Sequence, residues 1–244
     1  MKSFALAGMA GMATLAAAQS PSADIPEPAG TELSAEPITV TDSFDGQGFL
    51  YDRDSVVCQE QEETGRDDTI FILEDGASIS NVIIGPNQAE GIHCLGSCTI
   101  TNVWFQDVCE DAITLEEGGD VTISGGGAFH AADKVIQING VGITVSISDF
   151  YVEDFGKLAR SCGNCEDNGG PRAITIDNVV AVDGGVLCGI NTNYGDTCTI
   201  SNSCHSDGKS CDMYEGNDTG DEPEKIGSGD DGQTCIVENL TEEC

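Results

Sequence analysis

Three carboxylates and three cations recur at nearly constant spacing in a chain that is otherwise dominated by acid. Glu90 and Asp111 stand 21 residues apart, Lys134 follows 23 later, and Lys157 and Arg160 come one further interval along. Glu110 adjoins Asp111. Carboxylate oxygens are hard donors, and acids gathered near one another repel unless a cation such as Ca²⁺ or Mg²⁺ holds them together. Lysine and arginine in the same series suit an anionic ligand. The bland alternatives are a solvated acidic face and a set of ordinary salt bridges. Constant spacing carries chemistry only if a repeating backbone unit stacks these residues.

Such a unit is present. An apolar-x-Asn/Asp-apolar motif recurs as Ile79-Ser-Asn81-Val82, Ile100-Thr-Asn102-Val103, Ile147-Ser-Asp149-Phe150 and Ile176-Asp-Asn178-Val179, with Ile123-Ser-Gly125 and Ile200-Ser-Asn202 as further copies. The isoleucines lie 21, 23, 24, 29 and 24 residues apart. Alternation marks short strands and the period marks a solenoid. No segment of helical periodicity lies between the strands, which argues against leucine-rich repeats and βαβ units. The reading is an all-β, right-handed parallel β-helix with Ile stacked on Ile inside. The recurrent Asn sits at a turn, where it tolerates left-handed backbone angles. A β-sandwich, the competing architecture, lacks a fixed period.

Equal offsets from the repeat isoleucine fall on one face of such a coil. Eleven residues beyond Ile79, Ile100 and Ile123 stand Glu90, Asp111 and Lys134; eleven beyond Ile147 is Leu158, flanked by Lys157 and Arg160. With rungs ~4.8 Å apart, acids cover two rungs and cations the next two. His93 and His130 miss this offset and read as structural or rim residues, and Trp104 and Phe105 read as packing.

Composition sets outer bounds. The 244 residues hold 43 Asp and Glu against 9 Lys and Arg, a formal charge of −34, which excludes nucleic acid and anionic membrane surfaces as partners. Lys2 precedes an apolar stretch, Phe4 to Ala18, ending in three alanines, the pattern of a cleaved signal peptide over 1–18. The mature protein is therefore expected to be secreted and extracellular, and its 12 cysteines to form up to six disulfides. Cys162-Gly-Asn-Cys165 has the spacing of a redox or zinc site. No second such pair completes a zinc site, so it reads as a structural bridge. Residues 19–37, rich in Pro, Ser and Glu, read as a flexible leader, 38–205 as the β-helix, and 206–244 as a flexible acidic tail, rich in Gly and Asp and stapled by cysteines. A monomer is expected.

Five stretches, LEDGASISNVIIGPNQAEGIHC (73–94), CTITNVWFQDVCEDAIT (98–114), GGGAFHAADKVIQING (125–140), DFYVEDFGKLARSCGNC (149–165) and GVLCGINTNYGDTCTI (185–200), are similar in order and spacing to polysaccharide lyase family 3, the secreted pectate lyases of plant-degrading microbes. The resemblance covers about residues 45 to 205. It implies a compact parallel β-helix and Ca²⁺-dependent β-elimination of de-esterified homogalacturonan, the pectate of plant cell walls, to 4,5-unsaturated oligogalacturonates. It also implies that Glu90, Glu110 and Asp111 hold Ca²⁺, the first in place of the family's usual Asp. Lys134, Lys157 and Arg160 would be its essential catalytic and substrate-binding cations.

One position departs from the family pattern. Members usually carry Lys five residues past the Asp, where this chain has Glu116 followed by Glu117. That exchange reverses a charge beside an anionic substrate, so an active lyase, a pectate-binding protein without turnover and a hydrolase on the same fold all remain open. If Glu116 occupies the Lys position, it faces the groove of Lys134, Lys157 and Arg160, paired with one of them or swung outward. On this reading alone, Glu116→Lys raises lyase activity on polygalacturonate at alkaline pH with Ca²⁺; an unchanged or lower rate would show that Glu116 is not limiting.

Overall fold

The computed structural model describes residues 21–59, 61 and 64–244; the expected signal peptide lies outside the described residues. The chain winds as a parallel β-sheet coiling about an axis. Phe44, Ile79, Ile100, Ile123, Ile147, Ile176, Ile200 and Val237 stand side by side on successive rungs. Each of the six repeat isoleucines is at most 1% exposed, so the hydrophobic effect pins the register: a one-residue slip would turn a whole strand inside out.

Two residues beyond each isoleucine the chain turns a corner. Asn81, Asn102, Gly125, Asp149, Asn178 and Asn202 all adopt positive φ, between 47° and 67°, the region open to Gly and least costly for Asn and Asp. Their side chains link neighbouring rungs. Asn102 Nδ2 donates to Asn81 Oδ1 at 2.9 Å and Asn178 Nδ2 to Asp149 Oδ1 at 2.6 Å. Gly125 takes the same corner with no side chain, so its copy of the motif lacks the Asn.

The register slips by one residue between Phe155 and Lys157 where Tyr151–Ser161 runs beside Gly119–Ile138. This bulge sets Lys157, not Leu158, opposite Lys134, and Leu158 is fully buried.

The two segments expected to be flexible carry regular structure. Within the leader, Thr31–Ser34 pairs in parallel with Ser43–Arg53, and Arg53 donates to the Ala35 carbonyl. Beyond residue 205, Cys211–Glu215, Cys235–Val237 and Leu240–Thr241 add further rungs, and Glu224–Ser228 folds back antiparallel on the first of these. The backbone donors and acceptors of a sheet edge need partners, which these strands supply. Cys204–Cys244 and Cys211–Cys235 hold this apolar-poor end in place. The other bridges are Cys58–Cys109, Cys94–Cys98, Cys162–Cys165 and Cys188–Cys198, so the CxxC cysteines are paired with each other.

The corner ladder gives a stability test. Asn102→Ala forces a β-carbon residue without a compensating amide into positive φ and removes the bond to Asn81. It is expected to lower unfolding free energy by ~1–2 kcal/mol, with Asn102→Gly losing less. Equal losses in urea titrations would show that backbone angle is not what selects Asn there.

Candidate active site

One face of the coil is built from Thr69–Leu73, Glu90–Cys94, Asp111–Leu115, the end of Gly119–Ile138, Tyr151–Ser161 and Val180–Asn191. Phe71, Ile92, Ile113, Ile136, Ala159 and Cys188 stack inward along it. Outside this apolar seam run two lines in register. The first is Thr69, Glu90, Asp111, Lys134, Lys157, Val186; the second, three residues further on, is Ile72, His93, Thr114, Gln137, Arg160, Gly189.

These lines floor a cleft. A hollow of about 460 Å³ is bordered by Glu90, Glu110, Asp111, His93, Arg66 and Glu116. Through Gln137, Cys162 and Asn164 it meets a second hollow, about 260 Å³, bordered by Lys134, Lys157, Arg160 and Tyr214. All seven residues singled out from the sequence border the two.

At the acidic end, Glu90, Glu110 and Asp111 are each only 3% exposed. Asp111 Oδ1 is buried without a hydrogen-bond partner. Burial pushes the Asp111 carboxyl well above the usual range, the charges of Glu110 and Glu90 add to this, and Lys134 opposes it. Glu90 accepts from the Gly65 N–H at 3.0 Å, from Thr114 Oγ1 at 3.2 Å and from His93 Nε2. The three acids are spread along the wall: among the described residues, the His, Cys, Asp and Glu groups gathered within 4.8 Å are Cys188, Cys198 and Cys211 alone, whose sulfurs are spent in disulfides. A buried carboxylate oxygen that accepts no hydrogen bond, 3.5 Å from the Lys134 ammonium and with two further acids beside it, is nevertheless a hard-oxygen donor set that fits a divalent cation of the Ca²⁺ class.

At the basic end, Lys134 Nζ lies 2.6 Å from Asp133, 3.5 Å from Asp111 and 3.7 Å from Glu110. Burial pulls its pKa down, but Asp111, Asp133 and Glu110 outweigh that and hold the ammonium well above its ordinary value. Lys157 Nζ reaches the other oxygen of Asp133 at 2.8 Å. Asp133 thus clamps both lysines, a role that spacing did not reveal although it adjoins Lys134 in the sequence. Arg160, 6% exposed, donates to Asn191 Oδ1 at 3.1 Å and stacks 4.0 Å from the centre of the Tyr214 ring. Burial lowers its pKa.

Glu116 faces the cleft but takes neither course expected of it. It receives Arg66 Nε at 2.6 and 2.8 Å, a further bond from Arg66 Nη2, and His93 Nδ1 at 2.7 Å. Of the two readings of His93, structural or rim, its place fits the first: buried at 4% exposure, it bridges Glu90 and Glu116. Its place in line with Thr114 and Gln137 was the available signal. Arg66 comes from the 3₁₀ turn Arg66–Asp68 outside the repeat, where spacing says nothing. The charge reversed at Glu116 is answered locally, and Glu116→Lys would set a cation against Arg66 and His93. The exchange is now expected to lower rather than raise activity.

Burial opposes charge on both Glu116 and His93, and their mutual contacts, with Arg66 and Glu90, overcome it. Glu116 falls from 4.5 to about 2 and His93 rises from 6.5 to about 9. The His93 contribution to stability is thus complete below pH 6.5 and lost as pH rises through about 9; that of Glu116 is present above 4.5 and lost as pH falls through about 2. In calcium-free buffer, Glu116→Gln should bring the NMR midpoint of His93 below 9 and flatten the loss of stability from pH 6.5 to 9. An unmoved midpoint would contradict the pairing.

A pectate lyase family model matches residues 22–221 of this chain. Over 205 residues the chain is 52% identical to pectate lyase H of Emericella nidulans, covering 82% of this chain and 78% of that one. It is 50% identical to a probable pectate lyase D of Aspergillus fumigatus, covering 84% and 86%. Among solved structures, the catalytic domain of pectate lyase PelI from Erwinia chrysanthemi superposes with a TM-score of 0.68 at 29% identity, over 88% of this chain and 97% of that one. The same enzyme in complex with tetragalacturonic acid gives 0.69 at 29% identity, over 84% and 69%. A coil of parallel rungs with acids and cations in one cleft, matched over most of its length in sequence and in structure, belongs to the pectate lyase family.

Proposed function

We propose that the protein is a secreted, Ca²⁺-dependent pectate lyase that cleaves de-esterified homogalacturonan by β-elimination and works as a monomer. The observation that carries this reading is the single line of Glu90, Asp111, Lys134 and Lys157 on consecutive rungs, acid at one end and cation at the other. The tetragalacturonic acid held by the PelI relative supports a galacturonate ligand.

β-Elimination removes the C5 proton, α to the C6 carboxylate. The electron pair forms the C4–C5 double bond and the C4 glycosidic oxygen departs, taking a proton from solvent. Ca²⁺ on Glu90, Glu110 and Asp111 would supply positive charge where the substrate carboxylate gains electron density. Lys134 and Lys157, held apart by Asp133, are donors for that carboxylate and its neighbour. The base must be neutral before it accepts the C5 proton. The acids around Lys134 keep it protonated, whereas burial lowers the Arg160 pKa against the opposing pull of Tyr214, Asp196 and Asp133, and its hydrogen-bond and stacking partners are Asn191 and Tyr214 rather than a carboxylate. Arg160 is thus assigned as base, which calls for an alkaline optimum.

The pectate-binding alternative rested on an uncompensated Glu116, and Arg66 and His93 compensate it. One assay separates all three readings. Polygalacturonate should yield products absorbing in the near ultraviolet, lost on chelation and restored by Ca²⁺, and Arg160→Met should lower kcat by ~10²–10⁴-fold. Saturated products would instead establish a hydrolase, and binding without products a non-catalytic protein.

A further inference from the structure

Beyond the cleft lies a third hollow, about 660 Å³, which shares Lys157 and Tyr214 with the basic end and is bordered by Lys209 and Lys225. We propose that this hollow is an additional carboxylate-binding subsite, in which Lys209 and Lys225 hold a galacturonate unit of the chain whose cleavage site lies at Lys134, Lys157 and Arg160. The inference rests on the lyase reading above and extends the binding surface along the coil axis.

Register is the first support. Val186 stands opposite Lys157. The pairing that sets Cys188 against Cys211 and Gly189 against Asp212, carried two residues back, sets Val186 against Lys209. The Cys188 N–H to Ser210 carbonyl bond, 3.0 Å, holds that alignment next to Lys209. Lys209 therefore continues the line Glu90, Asp111, Lys134, Lys157, two rungs or ~10 Å beyond the last. Lys225 arrives from the antiparallel return strand, opposite Tyr214.

The cation inventory is the second. Outside Lys2 the chain has eight Lys and Arg. Arg53 and Arg172 are buried, donating to backbone carbonyls. The other six, Arg66, Lys134, Lys157, Arg160, Lys209 and Lys225, all border this chain of three connected hollows. In a protein of charge −34 the rest of the surface repels a polyanion, so among the described residues the second and third hollows, with Lys134, Lys157, Arg160, Lys209 and Lys225, form a cationic track open to it.

The floor is the third. Gly156 and Gly185 form it, and a Cβ at Gly185 would lie 1.8 Å from the Gly156 carbonyl oxygen. Backbone contact keeps the floor bare of side chains at these two positions, and the side chain that stands between Lys157 and Lys209 is the small, buried Val186. Both outer lysines are half exposed and pair with exposed or partly exposed acids, Lys209 with Asp207 at 2.9 Å and Lys225 with Asp212 at 2.6 Å. Such surface pairs are weak, and a substrate carboxylate can share or replace them. Lys225 lies past residue 221, the end of the family match.

The test compares the wild type with the Lys209→Ala/Lys225→Ala double variant on polygalacturonate and on trigalacturonate, with Ca²⁺ present. The KM for the polymer should rise about tenfold with kcat held, while trigalacturonate kinetics stay as they were. Lys209→Arg/Lys225→Arg should keep the wild-type KM, and an unchanged unfolding midpoint establishes that the alanine variant is folded. An unchanged polymer KM, or an equal rise for both substrates, overturns the subsite. If the wild type makes no unsaturated product, the lyase reading itself fails. Polygalacturonate binding measured calorimetrically then decides the subsite separately, with equal affinity of wild type and double variant overturning it.

Discussion

The stacking of apolar side chains at rung spacing is the constraint on which everything else in this protein depends. Aromatics make up only 5% of the chain, so the interior is built from Ile, Val, Leu and Ala, whose β-branched members suit a pleated surface. Because each rung buries its isoleucine against the next, register is specified at every turn. The charged residues inherit that register. Glu90, Asp111, Lys134 and Lys157 form a line because Ile92, Ile113, Ile136 and Ala159 stack beneath them. A change in the apolar seam would therefore be felt in the cleft before it was felt in the gross fold.

Burying acids and cations in one cleft is costly unless each finds a partner. Three devices meet that cost. Asp133 spans Lys134 and Lys157, His93 spans Glu90 and Glu116, and Arg66 closes the far side of Glu116. Among the cleft residues, Asp111 Oδ1 and Gln137 Oε1 are buried without a hydrogen-bond partner, the former with only the Lys134 ammonium, 3.5 Å away, to offset its charge. The former places residual frustration at the proposed cation site, where a hard ion would relieve it, and the stabilising contacts lie around it.

Most of the coil and the core of the site were legible in the chain because both ride on the Ile repeat. Glu90, Asp111 and Lys134 were found from the offset, Lys157, Arg160 and Glu110 as neighbours of the offset positions, and Glu116 from its departure from a family motif. The bulge at Phe155–Lys157 was not legible, since an extra residue inside a strand leaves no mark in an offset count beyond one misfit, Leu158. Asp133 and His93 were passed over for different reasons: one hid beside a lysine, the other lay in the neighbouring line. Arg66 lies outside the repeat altogether. The last turns, residues 206–244, read as a flexible tail because their order comes from disulfides and edge pairing rather than from apolar periodicity.

The central claim is that the register assembles an oxygen site for one divalent cation at the acidic end of the cleft. Calorimetric titration of Ca²⁺ into the wild type and into Asp111→Asn, both shown to be folded, tests it most directly. The account predicts one bound Ca²⁺ per chain in the wild type and loss of that binding in Asp111→Asn, whose buried amide cannot supply the missing charge. No binding to the wild type, or binding of equal strength and stoichiometry to both, would contradict it.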